Sequence, residues 1–414
     1  MNKFIQVFVH SVLVICLTGC DVLNIMRMRY ANESAIPNWQ NTQNHVQIKT
    51  DYISDKPYVK AIVNGKTELK FLIDTGASFT VLKDSQKVKA LGLTPGFELR
   101  AGGWGDGQAS SAFQTELESI DLGGIRFDNF KVAFLPTSKS QYFLSEDEVV
   151  YDGVIGHDIL RHFSWTFNRQ TGETQVSNQA YEIADHHSVL PIEIFLSKLY
   201  IPLTIDFGRN QIHEHDVIID TGSRHYLKLS SSFIPEHDIT TNTKITAADF
   251  GLSGLAEHQR IAVDEVKIGN NVFGKTKVNL INSDEDDPDD WWVIGNALLS
   301  KQTYTVDYFS NKLILDKPYD ASKTSRFNLL GLELRKTRQG SFIVRYVFPN
   351  LPASNQPIKV GDRISSINGK SATDLTEEDW LDITNTLGTH QICLAESRNR
   401  CFQLDAVPIQ GYSH

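Results

Sequence analysis

FLIDTGA at residues 71–77 recurs as VIIDTGS at residues 217–223, and this pair of segments decides the fold. Each segment is an apolar run, typical of a strand, that ends in Asp-Thr-Gly. One such triplet is weak evidence, because its residues are common in surface turns. Downstream of each copy, however, an apolar-apolar-Gly run ends at Gly156 or Gly295, and a helix-like stretch follows. The chain therefore contains an internal repeat of one unit.

The repeat continues on both sides of the Asp-Thr-Gly segments. Residues 58–65 alternate apolar and polar side chains and turn at Asn-Gly, which predicts a β-hairpin, and residues 200–205 lead into the second copy in the same way. Each copy also has a glycine-bearing loop between its motifs, at residues 102–107 and 250–254. Short alternating runs rich in Val, Ile, Phe and Thr predict that both lobes are mainly β.

The repeat places two carboxyl groups, those of Asp74 and Asp220, at equivalent positions. Two carboxyl groups about 3 Å apart cannot both ionise, so they share one proton, and one can activate a water while the other protonates a carbonyl. This is general acid/base chemistry for peptide hydrolysis, without a covalent intermediate. The thirteen histidines are scattered and no Cys/His cluster has zinc spacing, so we expect no metal and no cofactor.

The four motifs, in this order, resemble the retropepsin-type aspartic peptidases, with two copies joined into one pepsin-like chain. The resemblance covers roughly residues 46–320 and implies two homologous β-barrel lobes that form a monomeric catalytic unit. It implies that Asp74 and Asp220 are the catalytic pair. The residues implied to support the active-site loops are Thr75, Gly76, Ala77, Thr221, Gly222 and Ser223. The candidates for flaps over the substrate are Gly103, Trp104, Gly251 and Leu252.

Two departures from the family pattern concern the second loop. The first loop has Ala77 where the second has Ser223, so we expect the two carboxyl groups to differ in hydrogen bonding and in pKa. Arg224 and His225 follow the second loop directly. We expect both side chains to point away from the cleft into solvent, as charged side chains at the end of a strand commonly do. If either faced the aspartates, the pH optimum would move.

The first twenty residues resemble a bacterial lipoprotein signal. Lys3, the apolar residues 4–17 and the ending Leu-Thr-Gly-Cys predict a removed leader and a lipid on Cys20. The apolar part is shorter than the roughly 20 residues of a spanning helix. We therefore expect a protein anchored by lipid in a bacterial envelope and facing the periplasm, and Asp21 favours the inner membrane. Residues 21–45, rich in Asn and Gln, are interpreted as a tether.

The remaining cysteines and the net charge narrow the classes of function. Cys393 and Cys401 lie on two short runs that flank a turn, and a disulfide between them fits an oxidising compartment; two free thiols are the alternative. A net charge of −10 without a Lys/Arg cluster argues against a nucleic-acid partner. The acidic run at residues 284–290 is interpreted as a solvated loop, and a selective role near the cleft is the alternative.

The C-terminal residues resemble a PDZ domain. Its Pro-Ala turn matches Pro352-Ala353, its Gly-Asp-x-Ile element matches residues 361–369, and Thr376 begins a helix. The resemblance implies that an extended peptide adds as a strand, with its C-terminal carboxylate held by backbone N–H groups. The candidate residues are Gly331, Leu332, Glu333 and Leu334. Binding would need an open groove between the strand beginning at Phe342 and the helix after Thr376. A domain that packs on the lobes and binds no peptide is the alternative.

The expected organisation is a signal at residues 1–20, a tether at 21–45, lobes at 46–185 and 186–320, and a PDZ-like α+β domain at 325–410. The expected function is an aspartic endopeptidase that cleaves envelope proteins, with substrate or regulator peptides at the PDZ domain. The competing hypothesis is a catalytically silent, peptide-binding scaffold with the same fold. The presence of both aspartates favours the enzyme.

Overall fold

The computed structural model describes residues 22–103, 105, 109–136, 151–281, 292–319, 325–337, 340–395 and 400–412. The leader with Cys20, Asp21, Trp104 and the acidic run at 284–290 lie outside these residues. In the described part of the chain, every helix is too short or too polar to cross a bilayer.

The first lobe is a nine-stranded sheet that closes on itself. Strand Ser110–Asp121 pairs with Lys56–Val63 on one side and with Ile125–Leu135 on the other, which completes a barrel. Inside the barrel, Val59, Ala61 and Val63 are buried at every second position, as the sequence alternation predicts. The strands are Asn38–Trp39, Asp51–Ile53, Lys56–Val63, Thr67–Ile73, Val81–Lys83, Glu98–Ala101, Ser110–Asp121, Ile125–Leu135 and Gly153–Ile155.

The second lobe repeats this arrangement in a ten-stranded sheet. In both lobes the strand that leads to the aspartate lies parallel to the short strand of the apolar-apolar-Gly run, with Ile73 beside Ile155 and Ile219 beside Ile294. The strands are Glu193–Phe195, Lys198–Asp206, Ile212–Asp220, Leu227–Ser230, Ile245–Gly251, Gly254–Val263, Glu265–Ile268, Asn271–Phe273, Thr276–Ile281 and Val293–Gly295.

A six-stranded sheet joins the two lobes. Ser164–Asn168 from the first lobe pairs with Tyr304–Asp307 from the second, and the rings of Phe167 and Tyr304 stack at 4.8 Å. The lobes therefore share one continuous core. The strands are His45–Lys49, Ser164–Asn168, Glu173–Ser177, Ser188–Pro191, Tyr304–Asp307 and Lys312–Leu315.

The C-terminal domain has its own six-stranded sheet and packs on the second lobe. Its core includes Ile245, Ala247 and Ala262 of that lobe, so the interface is apolar. Cys393 lies opposite Cys401 on neighbouring strands, and a disulfide joins them. The strands are Leu332–Lys336, Phe342–Val347, Arg363–Ile367, Lys370–Ser371, Gly388–Leu394 and Cys401–Ala406.

The helices are short and few, so the prediction of a mainly β chain is confirmed. The longest helix in the described residues, Glu377–Asn385, begins with a capping box in which Thr376 and Asp379 satisfy each other's backbone N–H groups. The helices span residues 22–29, Gln86–Lys89, His157–Leu160, Phe233–Glu236, Asn296–Leu299 and Glu377–Asn385, with 3₁₀ turns at Pro352–Asn355 and Ala372–Asp374.

Residues 22–45 pack along the first lobe and are not a tether, which corrects the interpretation from sequence. Met28 is buried in a small apolar cluster of that lobe. The side chain of Asn32 is buried and donates to the Lys131 carbonyl at 2.7 Å and to the Asp158 carboxylate at 3.1 Å. Its amide therefore satisfies polar groups of the lobe, whereas the composition alone had indicated a solvated segment.

Candidate active site

Each Asp-Thr-Gly loop begins at the end of a buried strand. Thr67–Ile73 leads into Asp74, and Ile212–Asp220 ends at the second aspartate. The last apolar residues of both strands are buried, and a parallel neighbour lies beside each. Near-continuous apolar runs are typical of strands covered on both faces. The strand ends, and hence the two carboxyl groups, are fixed by the cores of the two lobes.

The structure brings Asp74 and Asp220 together between the lobes. A Cβ added at Gly76 would lie 2.9 Å from the Asp220 Cγ and 3.0 Å from the Asp74 Oδ1, and one added at Gly222 would overlap the Asp74 carboxyl. Only glycine fits at either position, so each loop approaches the carboxyl of the other. The Gly76 N–H donates to Asp74 Oδ1 at 2.7 Å. Asp220 Oδ1 is buried and has no hydrogen-bond partner among the described residues.

Thr75 and Thr221 brace the loops against each other with near two-fold symmetry. The Thr75 hydroxyl donates to the Ile219 carbonyl at 2.7 Å, and the Thr221 hydroxyl donates to the Ile73 carbonyl at 2.8 Å. Each hydroxyl also accepts from the other threonine's backbone N–H, at 3.0 and 3.1 Å. Both threonines are buried, so these bonds are protected from water.

Gly156 and Gly295 lie directly behind the two loops. A Cβ at Gly156 would lie 2.5 Å from the Phe79 carbonyl carbon, and one at Gly295 would overlap the His225 carbonyl. The helix that follows each glycine is hydrogen-bonded to the loop. The His157 N–H donates to the Ala77 carbonyl at 2.9 Å, and the Asn296 N–H donates to the Ser223 carbonyl at 2.8 Å. Ala77 and Ser223 thus share one backbone role.

Burial, and next the neighbouring carboxyl of Asp220, raise the pKa of Asp74 to about 7. The ammonium groups of Lys198 and Lys56 act in the opposite direction and lower this pKa. Lys198 Nζ also donates to the Gly76 carbonyl in the first loop. In the second loop, Ser223 Oγ accepts a hydrogen bond from the His225 N–H at 3.5 Å. Lys198, which binds the first loop, is therefore a difference between the loops that the comparison of Ala77 with Ser223 did not indicate.

The two candidate flap loops meet each other. A Cβ at Gly103 would lie 2.7 Å from the Leu252 Cβ, and Gly103, Gly251 and Leu252 all line the cavity that contains the aspartates. A Cβ at Gly105 would likewise lie 2.5 Å from the Ser253 carbonyl carbon, so Gly103 and Gly105 lie beside residues 252–254. Their action as flaps stays a prediction, and Trp104 lies outside the described residues.

Arg224 and His225 line the same cavity, which corrects the expectation that they point into solvent. The reason is that the C-terminal domain covers this loop, and Arg224 forms an ion pair with Glu333 of that domain. His225 Nε2 lies 3.1 Å from the buried carboxylate of Asp249. Burial lowers the pKa of His225 well below its usual value, although Asp249 opposes the effect.

The cavity has a volume of about 520 Å³, and residues from four parts of the chain line it. The lobes and the flap loops are two of these parts. The N-terminal helix adds Ile25 and Arg29, and the C-terminal domain adds Leu334, Arg335 and neighbouring side chains. The sequence indicated neither of these last two walls.

Sequence reasoning also missed the hairpin turn at residues 53–56. Ser54 and Asp55 have φ values of 49° and 65°, so the chain reverses tightly there. Asp55 is buried and paired with Arg326 at 3.2 Å and with Arg169, which ties the turn to both the C-terminal domain and the inter-lobe sheet. The turn carries Lys56 into the cavity. Ser-Asp-Lys between alternating runs signals a turn, but the partners that direct it inward are far away in sequence.

The candidate peptide-binding residues of the C-terminal domain are not in an open groove. Gly331, Leu332 and Leu334 are buried, and Glu333 is paired with Arg224. The expectation that the strand beginning at Phe342 borders a groove is wrong, because that strand lies inside its sheet.

The edges of that sheet are Leu332–Lys336 and Cys401–Ala406, and contacts within the chain occupy the first of them. The Lys336 N–H donates to Glu377 at 3.2 Å, and the Leu332 carbonyl accepts from Asn328 at 2.7 Å. Glu377, at the start of the helix, therefore helps to cover this edge strand.

One cluster of metal-binding residue types occurs in the part of the chain that the structure describes, formed by His186, His187 and Asp316. His187 Nδ1 accepts from the Ala184 N–H at 2.9 Å, so its Nε2 carries the proton and points toward Asp316 at 3.2 Å. This tautomer offers a metal no lone pair, and none of the three residues lines the cavity.

Two family models match separate parts of the chain. Residues 59–159 match the family model described as aspartyl protease, and residues 321–394 match that of the PDZ domain. The crystal structure of the aspartic proteinase from Irpex lacteus is 15% identical, with a TM-score of 0.44 over 67% of this chain and 98% of that chain. No curated protein sequence matches this chain significantly.

Proposed function

We propose that this chain, which joins an aspartyl protease domain to a C-terminal PDZ domain, is an aspartic endopeptidase that hydrolyses peptide bonds of bacterial envelope proteins. The observation that supports the proposal is the approach of Asp74 and Asp220, each touched by the glycine of the opposite loop. The cross-braced threonines support it further, because they fix the distance between the two loops.

The chemistry follows from one shared proton. The ionised carboxyl takes a proton from a water, and the water oxygen forms a bond to the peptide carbonyl carbon while the protonated carboxyl donates to the carbonyl oxygen. The C–N bond then breaks as the amine nitrogen receives the proton that was taken from water, and a hydroxyl of the intermediate returns its proton to the other carboxyl, which restores the shared proton. The pair supplies both acid and base, so this reaction calls for no cofactor. One chain supplies both loops, so we propose a monomeric catalytic unit.

The proposed location is the periplasmic side of a bacterial membrane, with lipid on Cys20 and the inner membrane favoured by Asp21. The leader pattern supports this location, and the disulfide between Cys393 and Cys401 fits an oxidising compartment. Labelling cells with a radioactive fatty acid tests it: the wild-type protein should carry label and Cys20→Ser should not. Labelling of both forms, or of neither, would contradict the proposed anchor.

The PDZ domain is proposed to bind C-terminal segments of substrates or regulators. Its match to the domain family supports a peptide ligand. Because the edge strand Leu332–Lys336 is covered in this structure, a ligand that adds to this edge would require the domain to move on the second lobe.

The proposal is tested by incubating the full chain with denatured proteins and a peptide library from pH 3 to pH 8. Mass spectrometry should find internal cut sites that Asp74→Asn does not produce. If no peptide is cut at any pH, with or without candidate PDZ ligands, the protein is instead a peptide-binding scaffold that keeps the peptidase fold.

A further inference from the structure

The outer side of the N-terminal helix, residues 22–29, is apolar. Val22, Leu23 and Met26 are 59%, 63% and 38% exposed, and Tyr30, directly after the helix, is 54% exposed. Residues three and four apart are neighbours on a helix surface, so these four side chains form one apolar strip. A single exposed apolar residue is ordinary, but a group of them on one side of an element marks an interaction surface.

The opposite side of this helix is fixed on the first lobe, so the helix cannot rotate to bury the apolar strip. Met28 is buried in an apolar cluster of that lobe, and the Asn24 side chain donates to the Glu98 carbonyl at 3.0 Å. Ile25 and Arg29 line the catalytic cavity. The helix is therefore a wall of the cavity on one side and an exposed apolar surface on the other.

Arginine accompanies the apolar strip, and carboxyl groups are scarce near it in the sequence. The chain has a formal charge of −10, but after Asp21 the next carboxyl side chain is that of Glu33. Arg27 is exposed, and its guanidinium carbon lies 4.5 Å from the centroid of the Phe97 ring. Helices that lie in the plane of a membrane interface combine an apolar face with arginines that reach lipid phosphates. The composition of this helix therefore fits a bilayer surface.

The proposed lipid site lies only two residues before Val22. An extended chain spans at most about 3.6 Å per residue, so a lipid on Cys20 would keep Val22 within about 7 Å of the attachment point. Residues 22–45 pack along the first lobe, so they cannot act as a spacer. A partner protein would have to enter between the apolar strip and the lipids. The chain length therefore favours the bilayer itself as the occupant of this surface.

We propose that the apolar strip lies in the membrane interface, so that the catalytic cavity is held at the bilayer surface and takes peptide segments close to the membrane. This inference rests on the proposed lipid anchor and peptidase function, and it names the substrate class. A helix with its side chains is about 10–12 Å across, and Ile25 and Arg29 stand on the cavity side. The cavity would therefore begin about one helix diameter from the lipids.

A fluorescent probe at position 26 tests where the apolar strip lies. In the mature chain, Cys393 and Cys401 are bridged and Cys20 carries the proposed lipid, so Met26→Cys supplies one reactive thiol. The lipidated variant is labelled with the fluorophore NBD and reconstituted into vesicles of phosphatidylethanolamine and phosphatidylglycerol. We expect the emission to fall at least about twofold when the vesicles contain lipids with a nitroxide near the headgroup. Flotation with the vesicles tests the anchor separately.

Val360→Cys is the matched control, because Val360 is 57% exposed in the C-terminal domain, which packs on the second lobe. A probe at this position should keep its emission in the same vesicles. Equal quenching at both positions, or no quenching at position 26 in protein that floats, would overturn the inference. Cross-linking of Met26→Cys to itself that persists when excess lipid dilutes the protein, without quenching, would assign the strip to a second copy of this chain and overturn the inference as well.

The substrate class is tested with one cleavable peptide that is joined to a phospholipid headgroup by a short linker, joined by a long linker, or free in solution. On vesicles, the double variant Leu23→Glu with Met26→Glu should lower the rate on the short-linked peptide about fivefold, because charged side chains leave the interface and lift the cavity. The rate on the free peptide should change less than about twofold, since neither residue lines the cavity. Val360→Glu should change no rate. An unchanged rate on the short-linked peptide, or an equal loss on the free peptide, would overturn the substrate class.

Failure of this inference and failure of the proposals on which it rests give different results. Protein that does not float has no lipid anchor, which would overturn the inference together with the proposed location. Quenching at position 26 with no cleavage of any peptide would keep the membrane contact for a binding protein and end the peptidase proposal. Cleavage of the free peptide by floating protein without quenching at position 26 would leave the peptidase and the anchor intact and overturn only this inference.

Discussion

The hydroxyls of Thr75 and Thr221 each accept from the backbone N–H of the other residue, so each Asp-Thr-Gly loop depends on the other lobe for the hydrogen bonds of its threonine. Thr75→Val keeps the shape of the side chain but leaves the Thr221 N–H and the Ile219 carbonyl unsatisfied. We expect a loss of about 2 to 4 kcal/mol in the free energy of unfolding and at least about tenfold in kcat. Urea unfolding and peptide assays measure both. Thr243→Val, at an exposed loop position, should change neither.

Replacing either aspartate with Asn should remove nearly all turnover while the fold survives. Asn is nearly isosteric with Asp but cannot supply the shared acid and base. The double variant should add little to either single one. Circular dichroism monitors the fold, and kcat is measured on the same peptide. Substantial activity in Asp220→Asn would mean that a dimer of first lobes is the active unit.

The raised pKa of Asp74 sets the upper limb of the pH profile. The pair holds its shared proton below about pH 7, so the rate should fall as pH rises through about 7. Lys198 lowers this pKa, so Lys198→Gln, which removes the positive charge, should move the limb to higher pH. A limb that stays in place, or moves to lower pH, would show that Lys198 does not act on this carboxyl.

The raised pKa of Asp74 also predicts how the stability of the fold depends on pH. A carboxyl with a pKa of about 7 in the fold and an ordinary value in the unfolded chain stabilises the fold fully at low pH. That contribution is lost between about pH 4 and about pH 7. Asp74→Asn should therefore raise the melting temperature at pH 8 more than at pH 4. An equal change at both values would mean that burial does not favour the protonated form.

Gly156→Ala and Gly295→Ala should each reduce stability and activity together. The added methyl group would meet backbone atoms of the neighbouring loop, which cannot rotate away as a side chain can. We expect a loss of about 1 to 3 kcal/mol in the free energy of unfolding. Gly102→Ala is the control for the unfolding measurement and not for activity, because a Cβ at Gly102 would meet nothing within 4 Å. Equal stability of all three variants would contradict the close approach.

Glu333→Gln should weaken the docking of the C-terminal domain, because Arg224 would lose its partner in a largely buried position. We expect a loss of about 1 to 3 kcal/mol in the free energy of unfolding, and the double variant Arg224→Met with Glu333→Leu should recover part of it. Glu68→Gln, which opens an exposed pair, serves as the matched control and should have no measurable effect. If the effects of Arg224→Met and Glu333→Leu alone add up to the effect of the double variant, the pair does not couple the C-terminal domain to the second lobe.

Local patterns were sufficient to predict the lobes, and the structure then brought the two aspartates together. Strand alternation around Val59 and the repeated Asp-Thr-Gly segments depend on neighbours in sequence, which a single chain displays. The packing of Asn32, the inward turn of Lys56 and the burial of Arg224 depend on partners far along the chain. An asparagine that binds a backbone carbonyl looks the same in sequence as one that binds water. The walls of the cavity therefore could not be predicted, although its centre could.

Because the edge strand Leu332–Lys336 is covered, a peptide that adds there, as proposed, would compete with any ligand that fills the cavity. For a peptide that adds to this edge, only molecules with the Arg224–Glu333 pair open are competent, so the apparent Kd equals the intrinsic Kd divided by the open fraction. Linkage is reciprocal: a compound that fills the cavity and contacts Leu334 favours the docked form and weakens the edge ligand by the same factor. Affinities measured on an isolated C-terminal domain will consequently exceed those of the full chain.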